Sequence, residues 1–386
     1  MELLLNHCNV PYTVSASEKF DNLVDTHMKE ILQRVLALPQ GKDIVAIILL
    51  GGYGRGEGTA LRKNGEELPY NDYDLIVVGK RRLLFCRKLM QEILHGLEKN
   101  LSQDIGIPVD LYFHTVDTLR FAEFSLLNLE LRNGHRVLWG PADILDLMPT
   151  YSLMDLPLSE GTRLLLNRGA LLFIAKMYWY GKKISESEQE DYLKYLMKAH
   201  LAFGDCSLML AQAYDISYVE KRKRIKGIKT SSLPSLSWMQ EMYVRAIDFK
   251  LNGDFSVYAG VNPDELFEQT AGYYCKFFDY FEAKRLQVPV NSVEDYIGAY
   301  SFNEALSWSL PKDLVKNLRQ FGTKSMEPYT HWACLSPRTR LFASIRILLD
   351  EKATEEQKNL VKELLGTRAK PDDIGAIFLD LWGKFS

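Results

Sequence analysis

A run of seven apolar residues at positions 44–50, IVAIILL, ends directly in the glycine-rich segment GGYGRGEG at 51–58. The run is rich in β-branched residues and bounded by turn-forming residues, which predicts a buried strand. The next stretch, 60–71, is polar and is interpreted as a loop. Further strands are predicted at 72–78 and 109–113, with helices at 15–38 and 81–101. Together these segments predict an α/β domain with a mixed sheet.

Helical periodicity dominates beyond residue 150, with little strand signal. Prolines at 141, 149 and 157 mark a linker before it. Candidate helices lie at 159–180, 187–213, 235–251, 262–284, 293–307, 338–350 and 354–366. The chain is therefore expected to be α+β, with an α/β domain at 1–148 followed by an all-α helical bundle at 149–386.

Composition excludes several classes of protein. There are 47 basic and 50 acidic residues, so the formal net charge is −3, which argues against a surface devoted to nucleic acid. The five cysteines form no Cys-x-x-Cys pair, so neither a disulfide framework nor a zinc site is indicated. No segment resembles a signal peptide or a membrane span. A cytoplasmic protein is expected.

The glycine-rich segment is the first candidate binding element. Gly51 and Gly52 allow the backbone to approach a ligand closely, and successive N–H groups can converge on an anion. Arg55 could pair bidentately with a phosphate. The alternative is a plain turn after a strand. The segment lacks the GxxxxGK[ST] pattern of a P-loop and the GxGxxG spacing of a dinucleotide fold.

Asp72 and Asp74 are the second candidate. Residues i and i+2 of a strand point to the same face, so two carboxylates would lie side by side at the start of an apolar strand. Their repulsion and partial burial disfavour the charged forms, and a divalent cation removes that cost. Mg²⁺ takes oxygen ligands and is commonly held by one or two carboxylates plus substrate phosphates. The alternative is that both lie in a solvated turn before the strand.

Asp110 interrupts the third apolar strand and points away from Val109 and Leu111. A lone aspartate in such a strand can be a cap or one half of an ion pair. It can also be the third carboxylate of a site with two metals, which clamp the attacking and leaving oxygens of a phosphoryl displacement.

The order of these parts resembles the nucleotidyltransferase superfamily that includes polymerase β. Its signature is a glycine pair after a strand, an Asp-x-Asp strand and a third carboxylate strand, here Gly51-Gly52, Asp72-Tyr73-Asp74 and Asp110. The resemblance implies that Asp72 and Asp74 bind two Mg²⁺ (or Mn²⁺) ions that hold the triphosphate of an NTP. It also implies that Asp110 helps to bind the second metal and to activate the attacking hydroxyl. The helical half is similar to the small-substrate, kanamycin nucleotidyltransferase-like branch of the superfamily. The amino-acid sequences of several segments also resemble bacterial nucleotidyltransferase-domain proteins.

The chain departs from that pattern at two points. The segment between Gly52 and Asp72 is longer than usual, and Tyr53 stands where a serine hydroxyl often touches phosphate. Tyr53 or Thr59 is a candidate to replace that hydroxyl. With Gly51, Gly52 and Arg55, Tyr53 completes the predicted nucleotide-binding set.

These features predict a metal-dependent nucleotidyltransferase that moves an NMP, with AMP favoured, onto a hydroxyl of a small molecule or protein. The alternatives are template-free nucleotide addition to RNA, supported only by the basic run 221–229, and a non-catalytic NTP-binding module. The composition favours a solvated helix end for that basic run. The general base stays open between Asp110, Glu130 and His114. The sequence identifies neither the acceptor, nor the preferred base of the NTP, nor the oligomeric state.

Overall fold

The structure is a computed structural model that describes residues 10–229, 233–290, 292, 295–296, 310–322, 337–366 and 373–385. The strands are β1 (Ile44–Leu49), β2 (Thr59–Lys63), β3 (Glu66–Tyr70), β4 (Tyr73–Gly79), β5 (Val109–Thr115) and β6 (Arg136–Trp139). The helices are α1 (Glu18–Leu36), α2 (Gly51–Arg55), α3 (Arg87–Ile105), α4 (Val116–Arg120), α5 (Leu126–Asn133), α6 (Leu158–Tyr178), α7 (Glu186–Leu210), α8 (Tyr218–Arg224), α9 (Leu236–Asn252), α10 (Pro263–Leu286), α11 (Leu310–Phe321), α12 (Pro337–Leu348), α13 (Glu355–Leu364) and α14 (Ile374–Phe385). None of the described helices combines the length and the apolar character needed to span a membrane.

The described residues form two compact units. The first contains 1–157 together with 212–226 and 244–259, and the second contains 158–211, 227–243 and 260–386. The first unit thus takes in two short segments from the helical half of the chain. The division at 148/149 stays a prediction from the sequence.

The first unit is built around a four-stranded sheet in the order β5-β4-β1-β6. Strand β1 is antiparallel to both neighbours, whereas β4 and β5 are parallel, so the predicted mixed sheet is confirmed. A parallel pair requires a crossover connection, and α3 supplies it. One face of the sheet packs against α1 and α3, and Tyr73, Leu75 and Val77 lie on that side. Ile76 and Val78 belong to a second core on the opposite face.

Strand β5 forms one edge of the sheet, and side chains of α3 bind the backbone along it. The backbone N–H groups of Val109, Leu111 and Phe113 donate to Ser102 Oγ (2.9 Å), Glu98 Oε1 (2.8 Å) and Gln91 Oε1 (2.9 Å). Gln91 Nε2 also donates to the carbonyl of Leu111 (2.9 Å). Three N–H groups and one carbonyl that an edge strand would leave without strand partners are therefore satisfied from within the unit.

The prediction of a loop at 60–71 is wrong, because most of this segment is a β-hairpin. Strands β2 and β3 pair antiparallel as a separate two-stranded sheet, with Asn64 and Gly65 at the turn. Both turn residues have positive φ, 54° and 80°, as a two-residue hairpin turn requires. The glycine-rich segment also differs from a simple loop, since 51–55 form the short helix α2, which ends at Gly56 in the left-handed conformation.

The second unit is helical, as predicted. Helices α6, α7 and α10 pack against one another, and α12 packs against α6. Ser185 starts α7 with a capping box, and Asn262 caps α10 ahead of Pro263. The aromatic residues of α10 lie in the bundle core, where the Phe203 ring is 4.9 Å from Tyr273 and 5.5 Å from Phe277. Helices α11 and α14 were not predicted, and nearly all of the predicted helix at 293–307 lies outside the described residues.

Candidate metal and nucleotide site

The three predicted acids come together at one end of the sheet. Asp72 immediately precedes β4, Asp74 is its second residue, and Asp110 is directly opposite Asp74 in the parallel β4–β5 register. Each side chain offers a carboxylate oxygen that lies within 4.8 Å of the others. Alternation along both strands places Asp74 and Asp110 on the sheet face opposite α1 and α3, and Asp72, directly before β4, lies beside them. The solvated-turn alternative is thereby excluded for Asp74, which lies within the strand.

Keeping these carboxylates ionised costs free energy in the absence of a cation. Burial, followed by the charges of Asp72 and Asp110, raises the pKa of Asp74 to about 7, although Lys250 and Arg55 oppose this shift. Burial and the charges of Asp72 and Glu98 also raise the pKa of Asp110. Within the described residues, no side chain forms an ion pair with these carboxylates or donates a hydrogen bond to them. Lys250 and Arg55 therefore act on Asp74 without a direct ion pair, and no described side chain neutralises the cluster by contact.

The donor set fits a hard divalent cation. Three carboxylates whose oxygens converge from two adjacent strands match the all-oxygen coordination of Mg²⁺ and Mn²⁺. A cation there would neutralise the repulsion that raises the pKa of Asp74.

Gly51 allows the backbone to pass directly beside this cluster. Its φ is +63°, a conformation that L side chains rarely adopt, and a Cβ at this position would lie 2.9 Å from Asp74 Oδ2. The backbone N–H of Leu50 donates to the carbonyl of Asp74 (2.8 Å), which fixes the end of β1 to β4. At Gly52 a Cβ would lie 2.9 Å from the carbonyl oxygen of Glu57. Glycine is thus required at 51, where the backbone passes close to the Asp74 carboxylate, and at 52, where it passes close to the Glu57 carbonyl.

Tyr53 has a structural role that the sequence did not reveal. Its ring is buried, and its hydroxyl donates to the carbonyl of Thr59 (2.6 Å) and accepts from the N–H of Tyr70 (3.0 Å). Thr59, the other candidate for the missing serine hydroxyl, donates instead to the carbonyl of Lys250 (2.7 Å). Both hydroxyls are engaged in binding the hairpin to its surroundings.

Arg55 lies in a buried network of charges. Its Nη1 is 3.2 Å from Glu130 Oε2, and its Nε is 3.9 Å from Glu57 Oε2. The hydroxyl of Tyr214 donates to Glu130 Oε1 (2.7 Å) and accepts from Lys221 Nζ (3.0 Å). Arg55 is therefore an internal counterion in this structure, and its predicted contact with a phosphate stays a prediction.

The three candidates for a general base occupy different surroundings. Asp110 belongs to the carboxylate cluster. Burial would raise the pKa of Glu130, but Arg55 and Lys221 outweigh it and lower that pKa, so this carboxylate is held ionised in an ion pair. His114 lies four residues beyond Asp110 on β5, roughly 13 Å along the strand. Of the three, Asp110 is the one that lies in the carboxylate cluster.

Several residues of the site were missed because they lie far away in the chain. Glu57 accepts hydrogen bonds from Ser217 Oγ (2.6 Å) and from the N–H of Tyr218 (2.9 Å), which ties α2 to the start of α8. Lys221 opens the basic run predicted to be solvated, yet it is fully buried, whereas 222–224 and 226 are exposed. Lys250, near the end of α9, acts electrostatically on Asp74. Glu57 lies in the glycine-rich segment, but no pattern marks it out there, and Lys221 and Lys250 stand in no catalytic or binding motif.

Comparison with protein-family models and with curated proteins found no match. Among solved structures, the chain is similar to the spectinomycin adenyltransferase AAD(9) from Enterococcus faecialis, determined with ATP and spectinomycin. Sequence identity is 12%, the TM-score is 0.38, and the match covers 66% of this chain and 99% of that one. At that TM-score the activity of the neighbour does not transfer to this chain, whose activity has to be inferred from the residues of its own site.

The raised pKa of Asp74 predicts how stability depends on pH. An aspartic acid whose pKa is about 7 in the folded protein and 3.8 in the unfolded chain binds its proton more tightly in the folded state. The contribution of this carboxyl group to the free energy of unfolding is fully present below about pH 4 and is lost as the pH rises through 7. The Tm of the metal-free protein should therefore fall between pH 5 and 8 more steeply than that of Asp74→Asn.

The raised pKa of Asp74 also predicts that a divalent cation increases the thermal stability of the protein. At pH 8 the ionised cluster faces mainly Lys250 and Arg55, so Mg²⁺ or Mn²⁺ should raise the Tm by at least about 2–4 °C, equivalent to about 1 kcal/mol. At pH 5, where Asp74 is protonated, the increase should be smaller. An equal increase at both pH values, or one that persists in Asp74→Asn, would show that the cation binds elsewhere.

Proposed function

We propose that this protein is a metal-dependent nucleotidyltransferase. The observation that supports it best is the convergence of Asp72, Asp74 and Asp110 beside the Gly51 turn, with oxygens within 4.8 Å of one another and no direct ion pair to a cation among the described residues. Such a cluster is suited to hold divalent cations and, through them, the phosphates of an NTP.

The proposed reaction is the attack of an acceptor hydroxyl on the α-phosphorus of the NTP. A new P–O bond forms to the acceptor, the bond to the bridging oxygen breaks, and pyrophosphate leaves. Bound Mg²⁺ would supply charge neutralisation for the phosphates. Asp72 and Asp74 would hold the metals, and Asp110 would complete the site and take the proton of the hydroxyl. Gly51 and Gly52 would leave space beside them for the triphosphate.

Nucleotide addition to RNA receives less support from the site's surroundings. Lys221 is buried, and the three exposed basic residues that directly follow it are paired with acids. Arg222 pairs with Asp248 (2.8 Å), Lys223 with Glu220 (2.6 Å) and Arg224 with Asp215 (2.5 Å). These pairs reduce the net positive charge that a polyanion would require.

The experiment is incubation with α-³²P-labelled ATP and Mg²⁺ alongside three acceptor pools: hydroxylated small molecules, total RNA and total protein. Label in the small-molecule or protein pool, with stoichiometric pyrophosphate, is the expected result. Label in RNA would favour the tail-adding alternative. Mg²⁺-dependent ATP binding without label in any pool would favour a non-catalytic module. Parallel reactions with GTP, CTP and UTP test the preference for ATP.

A further inference from the structure

Asn71 combines two features that are unfavourable for folding. Its φ is 70°, in the left-handed region, which residues other than glycine adopt at a cost. Its side-chain Oδ1 is buried and forms no hydrogen bond within the described part of the chain. Strained backbone and buried polar atoms without a partner persist where the surroundings impose them, and both are enriched at functional sites.

Both ends of the segment 70–73 are anchored. The N–H of Tyr70, the last residue of β3, donates to the hydroxyl of Tyr53 (3.0 Å). The N–H of Tyr73, the first residue of β4, donates to the carbonyl of Pro108 (2.9 Å). The Tyr73 ring is fully buried, with its centroid 4.9 Å from that of the Tyr53 ring. Two residues between these anchors therefore connect the hairpin to the four-stranded sheet.

This short connection fixes the direction of Asp72. Because both ends are held, a rotation about the N–Cα bond of Asn71 cannot be taken up by β3 or β4, and it moves the peptide that carries Asp72 instead. Asp74 and Asp110 are held by the paired backbones of β4 and β5, whereas Asp72 precedes its strand. The conformation of Asn71 therefore does for Asp72 what strand pairing does for the other two acids.

The backbone of Asn71 is thereby linked to cation binding. A residue that avoids the left-handed region can relax in the metal-free protein, and a cation that binds to all three carboxylates must then restore the conformation. The cost of restoring it lowers the apparent affinity for the cation. Asparagine is enriched several-fold at positive φ relative to most residues, and glycine adopts such conformations freely.

We propose that Asn71 is a positioning residue of the cation site, whose left-handed backbone holds the Asp72 carboxylate beside those of Asp74 and Asp110. This inference rests on the proposed function and adds a residue to it. The segment after Gly52, which is longer than in the superfamily that the sequence resembles, thereby acquires a role. It forms a hairpin whose last connection sets the place of a metal ligand.

The test uses a second asparagine of the same hairpin as its matched control. Asn64 is exposed, has a φ of 54° and lies in the turn, at the opposite end of β2 and β3 from Asn71. Asn64→Ala should lower the Tm, since its turn requires the same region of φ, but it should leave cation binding unchanged. It separates an effect on hairpin stability from an effect on Asp72.

Dissociation constants for Mn²⁺ are measured by calorimetry at pH 8 on the metal-free full-length protein. Asn71→Ala should bind Mn²⁺ about 5- to 30-fold more weakly than the wild type. Asn71→Gly should bind it as the wild type does, because glycine adopts the conformation without strain. Asn71→Ser keeps a small polar side chain without the preference of asparagine, so it should lose affinity as alanine does. Asp74→Asn identifies the part of the titration that belongs to the carboxylate cluster.

Positioning also predicts how the kinetic parameters of nucleotide transfer change. In Asn71→Ala the Mg²⁺ concentration that gives half-maximal transfer should rise by the same factor as the Mn²⁺ dissociation constant. The rate at saturating Mg²⁺ should change little, because the bound cation restores the arrangement of the carboxylates.

Wild-type Mn²⁺ affinity in Asn71→Ala and Asn71→Ser would overturn the inference. So would an equal loss in Asn71→Gly, which would trace the effect to the side chain, or in Asn64→Ala, which would trace it to hairpin stability. If the wild type binds no Mn²⁺ at the cluster, the proposed function itself fails. If the wild type binds Mn²⁺ and transfers nucleotide while Asn71→Ala is unaffected, only the role of Asn71 fails.

Discussion

Replacing Asp74 with asparagine is expected to reduce nucleotide transfer by at least about 10³-fold without unfolding the protein. The substitution preserves shape but removes a charge from the centre of the carboxylate cluster, so the cations that hold the phosphates lose a ligand. Metal stabilisation of developing charge amounts to several kcal/mol, and about 4 kcal/mol corresponds to about 10³-fold in rate. Pyrophosphate release with the labelled acceptor pool measures the loss.

Stability separates this effect from misfolding. Because Asp74 is ionised against Asp72 and Asp110 at pH 8, Asp74→Asn should have a higher Tm than the wild type in EDTA and should gain less from Mg²⁺. Asp143→Asn is the matched control, since Asp143 is exposed and distant in sequence from the cluster, and it should retain full activity. Pyrophosphate release by Asp74→Asn at the wild-type rate would remove the catalytic assignment.

Arg55→Met is expected to lower the free energy of unfolding of the first unit by about 3–5 kcal/mol. The side chain of Arg55 is 7% exposed, and its guanidinium lies between the carboxylates of Glu57 (8% exposed) and Glu130 (26% exposed). Methionine fills a similar volume but leaves those two negative charges without their shared cation. Urea-dependent amide hydrogen exchange, followed at backbone groups of the first unit, measures the change.

Two further variants test whether the lost stability comes from the buried ion pairs of Arg55. In Arg55→Met/Glu130→Gln one of the stranded charges is removed, so part of the lost stability should return. Arg34→Met breaks the surface pairs with Glu30 and Asp104, and its cost should be at most about 1 kcal/mol. A loss of similar small size in Arg55→Met would contradict the role of Arg55 as the internal counterion.

The strands that carry the metal-binding acids could be predicted because their signals are local. Strand β4 combines a buried apolar run with acids at positions 72 and 74, and the two-residue period decides which side chains share a face. The same rule placed Asp110 on the side away from Val109 and Leu111. The parallel pairing that brings Asp110 opposite Asp74 is a long-range contact, and in the sequence only the resemblance to polymerase β-like enzymes pointed to it.

The hairpin and the buried cations were missed for identifiable physical reasons. Strands β2 and β3 are rich in polar residues and contain only two fully buried ones, so they lack apolar alternation, and Asn64-Gly65 was the single strong sign of a turn. Lys221 begins a run of four basic residues, which is typical of a solvated helix face. Lys250 stands in the last turn of a helix, where a lysine is ordinary. Their burial results from chain segments that return to the first unit after long excursions, and no local pattern encodes that return.

The way α3 binds the outer margin of β5 also affects how copies of this protein meet one another. An open sheet margin is a template on which a second chain can add a strand, and repeated addition is the route to fibrils. Here Ser102, Glu98 and Gln91 already hold the N–H groups of Val109, Leu111 and Phe113. Asp110 therefore lies on a strand whose outward donors are already engaged, which makes the addition of a second chain beside the three acids less favourable.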